Sequence, residues 1–262
     1  MHFQVLSSGS KGNSSLVRAG DVRLLIDAGL TAREQTDRLE IAKTSVRAIH
    51  HIALTHGHLD HARSAGILSK RNEHLTVHCA ERLMKNKSLA RARRLSRLNI
   101  GSQLELFDFE GRESLNLLAV QIPHDADPTV AFRVDHGGRS LVVLTDMGHP
   151  APRALGPLVN SHVLHLEFNH DEAMIETGPY PPPLRKRILG DGGHLSNGQA
   201  AKVLAQLAGP NLHTLILAHL SENNNTPELA RSVAESQLAA LGRTDVRVLI
   251  ASQDEVGENI EV

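Results

Sequence analysis

The chain has 262 residues, 28 basic against 29 acidic side chains and a net charge of −1, so bulk charge points to no polyanionic or polycationic partner. A single cysteine, Cys79, excludes an internal disulfide framework, and no apolar run reaches membrane-spanning length, so a soluble cytoplasmic protein is expected. The 17 histidines are well above ordinary usage, while no Trp and one Tyr leave little for base stacking.

From the N-terminus, Ser8-Gly9-Ser10-Lys11-Gly12-Asn13-Ser14 is a glycine-rich loop without the Gly-Lys-Ser/Thr ending of a P-loop. It reads either as a hairpin turn or as a loop whose N–H groups and Ser10, Asn13 or Ser14 approach a phosphate. Short apolar runs follow, each ending in a histidine or an acid. Leu24–Ile26 ends at Asp27, Ile52–Leu54 at Thr55 and His56, and Leu118–Ile122 near His124. Leu141–Leu144 ends at Thr145-Asp146, Val163–Leu166 at Glu167, and Leu215–Ala218 at His219. Runs this short and rich in Val, Ile and Leu predict buried strands. Helices are predicted over Ala62–Arg71, Ala80–Leu98, Gln199–Ala208 and Pro227–Leu241, the last with Thr226 as N-cap and Pro227 in the first turn. The Ala80–Leu98 segment carries Arg82, Lys85, Lys87, Arg91, Arg93, Arg94 and Arg97, either a solvated helix face or a phosphate-backbone contact. Arg185-Lys186-Arg187 is a second basic patch, and Cys79 is most simply a small buried hydrophobe. Strands interleaved with helices over the whole length predict one α/β (α+β) domain spanning 1–262.

The chemistry concentrates in His56-Gly57-His58-Leu59-Asp60-His61. No packing requirement asks for three imidazoles and a carboxylate at a strand end, whereas a divalent metal does. His56 and His58 alternate and so point the same way in extended backbone, with Asp60 and His61 in the following turn. Four donors this close crowd one tetrahedral ion, so two metals are expected. His124, Asp146 and His219 each sit just past an apolar run, where further ligands are needed.

This set resembles the metallo-β-lactamase fold superfamily. The resemblance runs from Asp27 through the cluster, Pro123-His124-Asp125 and Thr145-Asp146-Met147-Gly148 to Ala218-His219. It implies a four-layer αβ/βα sandwich. It also implies one metal on His56, His58 and His124, a second on Asp60, His61 and His219, Asp146 bridging, and Asp27 supporting the cluster from behind. Ser8–Ser14, Glu167-Phe168-Asn169-His170-Asp171, Gly178–Pro181, Gly193–Asn197 and Ala218–Ser221 look like the narrower YycJ/WalJ-like branch, associated with exonuclease activity on DNA. Phe168 stands where that branch often has serine. The resemblance adds Asn169, Ser196 and Asn197 to Ser10, Asn13 and Ser14 as candidate substrate contacts. Gly193-His194 before the Ala200-Ala201 helix resembles the segment that supplies a proton donor in ribonuclease Z-type enzymes, with Glu167 as its partner acid. A capping or surface role is the alternative for His194.

The expectation is a phosphodiesterase with two divalent ions, zinc or manganese with iron also compatible, acting on nucleic acid, DNA by resemblance. A metal-bound hydroxide would attack, Asp60 would orient it and His194 would protonate the leaving oxygen. RNA, a small cyclic phosphodiester, or a thiol ester or lactam fits the same centre. A non-catalytic nucleic-acid-binding module is disfavoured by the intact ligand set.

Overall fold

The apolar runs do become strands. In the computed structural model, which describes residues 1–262, they form two seven-stranded sheets. The first holds β1 His2–Ser7, β2 Ser14–Ala19, β3 Val22–Ile26, β4 His51–Ala53, β5 Thr76–Cys79 and β6 Arg94–Arg97. The second holds β7 Gln103–Phe107, β8 Ser114–Ile122, β9 Thr129–His136, β10 Arg139–Leu144, β11 Val163–Glu167, β12 Thr214–Ala218 and β13 Arg247–Ile250. A final short strand, β14 Ile260–Glu261, pairs with β1. The orders are β14-β1-β2-β3-β4-β5-β6 and β13-β12-β11-β10-β9-β8-β7. Both sheets are mixed: β1 to β3 are antiparallel and β3 to β6 parallel, while β10 to β13 are parallel and β7 and β8 antiparallel.

The helices are α1 Ala32–Ile41, α2 Leu59–Ala62, α3 Ala65–Arg71, α4 Pro152–Leu155, α5 Glu172–Thr177, α6 Pro182–Leu189, α7 Asn197–Leu207 and α8 Pro227–Ala240. Thr226 caps α8 by accepting from the Leu229 N–H, and Pro227 occupies the first turn, as the sequence predicts. Ser196 and Gln199 close a capping box on α7. No helix is long and apolar enough to cross a membrane.

The chain divides into two compact units, Met1–Ala119 with Val134–Arg139 and Ser252–Val262, and Val120–Arg133 with Ser140–Ala251. The first unit's core gathers Leu6, Leu16, Leu25, Leu39, Ile52 and Val77, with Cys79 buried among them. Burial of the Cys79 thiol pushes it up to about 11, so it packs as an apolar group. In the second unit β11 and β12 are buried along their whole length, as parallel strands covered on both faces require. Each fully buried leucine contributes about 1.5–3 kcal/mol of transfer free energy.

One predicted element is wrong. Residues 80–98 are not a helix: two short 3-10 turns, Glu81–Lys85 and Lys87–Leu89, lead into β6. Asn86 sits between the turns with extended backbone, and its side chain accepts from the Ser88 N–H, offering the backbone a partner that a helix would have supplied. Beyond it, β5 has an open parallel edge, and Arg94–Arg97 pairs with it from Thr76↔Arg94 to Cys79↔Arg97. The like charge is also interleaved with acids in space, since Arg93 pairs with Glu73 and Arg97 with Glu81, both at 3.1 Å.

His78 on β5 is 5% exposed, and burial with His51 beside it pushes the imidazole down to about 3 from 6.5. The unfolded chain therefore takes up the proton first. This contribution to stability is complete above about pH 6.5 and is lost as pH falls toward 3. At pH 4 the loss should be roughly 3 kcal/mol. Denaturant midpoints from pH 7 to 4 should fall steeply for the native chain and less steeply for His78→Gln. Parallel curves would show that another group carries the acid sensitivity.

Candidate metal-binding clusters

In the first unit, parallel pairing of Ile26 with Ala53 brings the ends of β3 and β4 together. Asp27 leaves β3 with φ 62°, a left-handed conformation uncommon outside glycine. Its Oδ1 accepts from the Thr55 N–H at 2.8 Å, and its Oδ2 accepts from Thr55 Oγ1 at 2.9 Å and from His61 Nδ1 at 2.7 Å. A carboxylate only accepts, so His61 carries its proton on Nδ1 and presents Nε2 as the lone-pair nitrogen. Thr55 spends its own proton on Asp27, so its oxygen accepts from His56 Nδ1 at 3.0 Å, and His56 too presents Nε2. Burial pushes the Asp27 carboxyl above its ordinary value, against the pull of His61 and Thr55.

His58 has extended backbone and the turn follows it, as the sequence predicts. Asp60 and His61 lie in the single turn of α2, and the His56 ring sits 4.7 Å from His58 and 4.1 Å from His61. Asp60 Oδ2 is 3.5 Å from His61 Nε2, with the Asp60 side chain 25% exposed. Gly29 is needed where it stands: a Cβ there would lie 1.6 Å from the Asp60 carbonyl oxygen. Asn13 fastens the glycine-rich loop to the same turn, its N–H bonding to the Asp60 carbonyl at 2.8 Å and its Nδ2 to His61 Nε2 at 2.9 Å.

In the second unit, the register Leu144↔Leu166 and Glu167↔Ala218 sets three strand ends side by side. They deliver Asp146 after β10, Glu167 at the end of β11 and His219 after β12. Asp146 and His219 also take left-handed backbone, with φ 59° and 54°. Glu167 is fully buried, and its Oε1 accepts from His194 Nδ1 at 2.7 Å and His219 Nδ1 at 3.2 Å. Its Oε2 accepts from the Met147 N–H at 2.9 Å. Burial alone would raise this carboxyl; the charge of His194 and the hydrogen bonds from both histidines outweigh it and hold Glu167 well below the ordinary range. Asp146 Oδ1 lies 3.6 Å from His194 Nδ1 and 3.7 Å from His219 Nδ1. His124 donates from Nδ1 to the Gly193 carbonyl at 3.0 Å, which again leaves Nε2 as its lone-pair nitrogen.

Each unit thus gathers its own share of the expected residues: His56, His58, Asp60 and His61 with Asp27 in one, and His124, Asp146, Glu167, His194 and His219 in the other. Ligand atoms of Asp146, Glu167, His194 and His219 lie within 4.8 Å of one another. Imidazole lone pairs beside carboxylates, with tautomers fixed by partners behind them, are the donor set that zinc, manganese or iron takes.

Most of the expected substrate contacts are occupied in the scaffold. Ser14 is 1% exposed, donating to the Asp27 carbonyl and accepting from Gln35. Asn13 bonds Gly9 and His61. Asn169 donates to the His219 carbonyl at 2.9 Å, Ser196 donates to Glu172 and caps α7, and Asn197 is buried against Asn225. Ser10 alone of the six is exposed. Polar side chains buried in this way require partners within the fold. Gly29, central to the first cluster, has no signal in the local sequence, because the Asp60 carbonyl it admits lies about thirty residues away.

A family model described as the metallo-beta-lactamase superfamily matches residues 8–219. An exodeoxyribonuclease YycJ of Bacillus anthracis is 29% identical over 244 residues, 92% of this chain and 90% of its own length. An exodeoxyribonuclease WalJ of Streptococcus pneumoniae serotype 2 is 30% identical over 240 residues, 90% of this chain and 88% of its own. Among solved structures, the metallo-beta-lactamase fold protein YhfI from Bacillus subtilis superposes with a TM-score of 0.73 at 16% identity, covering 100% of this chain and 98% of that one. Zn(2+)-bound PqqB from Methylobacterium extorquens gives 0.67 at 15% identity with 100% of both chains covered. At these identities the structures show the shared fold.

Asp27→Asn replaces an acceptor with an amide donor facing His61 and Thr55. Unfolding of chelator-treated protein should show a loss of about 1–3 kcal/mol, and metal titration should show affinity weakened about 10–100-fold. Native values in both measurements would remove Asp27 from its orienting role.

Proposed function

The chain belongs to the metallo-β-lactamase superfamily of hydrolases, and from that premise we propose that it is a two-metal phosphodiesterase that degrades DNA from strand ends. The observation that carries this reading is the pair of curated relatives named exodeoxyribonucleases, which align with about nine-tenths of the chain at about 30% identity. The residues supply a consistent chemistry. In this proposal His56, His58, Asp60 and His61 of the first unit and His124, Asp146 and His219 of the second would hold the two ions, which when bound would supply water activation and charge neutralisation at the phosphate.

The chain's own groups do the rest. Asp60, with a quarter of its side chain exposed, orients the attacking water and accepts its proton. Glu167 takes the Nδ1 hydrogen of His194, which turns the opposite edge of that ring outward, where the side chain is 17% exposed. With a hydrogen on each ring nitrogen, His194 keeps the one on Nδ1 bonded to Glu167 and hands the one on Nε2 to the departing sugar oxygen. Asn169 fixes the backbone of His219, and Thr55 and Asp27 fix the rings of His56 and His61, so the donor atoms are held before substrate arrives.

The test uses 5′- and 3′-labelled single- and double-stranded DNA and RNA, with metal varied after chelation. Mononucleotide release from DNA, abolished in His58→Ala and Asp60→Ala, is expected. His194→Ala should lower kcat about 10²–10⁴-fold with metal content unchanged. Full activity in the His58 or Asp60 variant would sink the assigned centre, and metal loss in the His194 variant would make that residue a ligand.

A further inference from the structure

The first unit has a pocket of about 410 Å³ whose lining includes Ser10, Lys11, Thr31, Arg38 and Arg63. The glycine-rich loop forms one wall, shaped by the Gly12 N–H bonding to the Gly9 carbonyl at 3.1 Å and the Gly9 N–H to Asn13 Oδ1 at 2.9 Å. Asn13 ties this wall to His61, and Arg63 follows His61 by two residues, so the pocket adjoins the first metal-binding cluster.

Its charge is concentrated and only partly compensated. The Arg38 guanidinium is pinned by the carbonyls of Leu6 at 2.9 Å and Gln253 at 3.3 Å, which orient it without cancelling its charge. Arg63 is half-buried and lines the pocket beside the first cluster. Lys11 adds an ammonium on the exposed loop. The acids lining the pocket are Glu34 and Asp254. Glu34 accepts from the Thr31 N–H at 3.0 Å in the capping box of α1, and that bonding, with the charges of Arg63 and Arg38, holds its carboxyl below the ordinary value, so it offsets part of the pocket's positive charge. Two guanidinium groups, an ammonium and the hydroxyls of Ser10 and Thr31 around a small volume match a tetrahedral oxyanion.

We propose that this pocket is a phosphate subsite, holding a phosphate of the nucleic-acid strand beyond the bond being cleaved, with Arg63 as its principal ligand. The assignment to a strand rests on the phosphodiesterase reading above; the phosphate chemistry does not. Contacts of this kind fix the register of a strand without reading its bases.

Two measurements separate the two ideas. Amide chemical shifts of chelator-treated full-length protein, titrated with inorganic phosphate and separately with 5′-phosphorylated thymidine dinucleotide, should move saturably at Ser10, Lys11 and Thr31. The dinucleotide should bind more tightly. Arg63→Gln should weaken both about tenfold, Lys11→Gln should weaken them less, and Arg63→Lys should restore part of the loss. In DNA cleavage, Arg63→Gln should raise KM about tenfold, with the smaller part of its effect in kcat, and should reduce the slope of log affinity against log salt by about one. Absence of saturable shifts in the native protein, or equal binding by Arg63→Gln, overturns the subsite. Equal affinity for the two probes overturns the strand as its ligand. Phosphate binding by a protein that cleaves no DNA keeps the subsite and sinks the nuclease reading.

Discussion

A carboxylate buried away from water must have its lone pairs filled by donors, and two such carboxylates organise both clusters. Asp27 accepts from the Thr55 amide, the Thr55 hydroxyl and His61, and Glu167 accepts from His194, His219 and the Met147 amide. Each demand for donors fixes histidine tautomers. In His61 and His219 the Nδ1 hydrogen is drawn to the acid, which leaves the Nε2 lone pair on the opposite edge for metal chemistry, and in His194 the same bond orients the ring. Replacing either acid by an apolar side chain of similar size would remove the burial cost and leave the imidazoles with no preferred tautomer. The two sites are held by electrostatics inside a close-packed frame, and the frame supplies the exclusion of water that makes those bonds strong.

The backbone carries a matching strain. Asp27, Asp146 and His219 each follow a strand, and all three have left-handed φ without being glycine. Such a conformation costs of order 1 kcal/mol or more and persists only where surrounding contacts over-determine it. Here the contacts are identifiable: the Asp27 N–H bonds to the Ala53 carbonyl, and the His219 carbonyl accepts from Asn169. The left-handed residue breaks the strand's alternation at each of these ends. The functional side chain can then leave the sheet edge instead of alternating across its faces.

The sequence made much of this legible because both signals were local. Val163–Leu166 and Leu215–Ala218 are apolar runs too short for helices, and both are strands buried along their length. The cluster from His56 to His61 announced itself by composition alone. What was illegible was pairing at a distance. Nothing near Asn13, Gly29 or Thr55 in sequence says that each touches the same turn of α2 or the residues it supports. The basic run over residues 80–98 misled for a related reason. Its helical composition was real, but Asn86 and the open edge of β5 decided the outcome, and an unpaired parallel edge is a property of the folded sheet.

The same tertiary pairing changes how charge should be read. Arg93, Arg97, Arg112 and Arg187 each face a carboxylate, on Glu73, Glu81, Glu110 and Asp125 respectively. Exposed pairs of this kind contribute about 0–1 kcal/mol to stability. They do cancel much of the field that a run of arginines would project beyond the screening length. A chain with 28 basic and 29 acidic residues therefore has little long-range attraction for a polyanion. If it binds a phosphate backbone, the attraction must come from a local excess of cations. Arg38, held by two carbonyls, lines one pocket with Arg63 and Lys11 against the acids Glu34 and Asp254, beside the turn that carries Asp60 and His61.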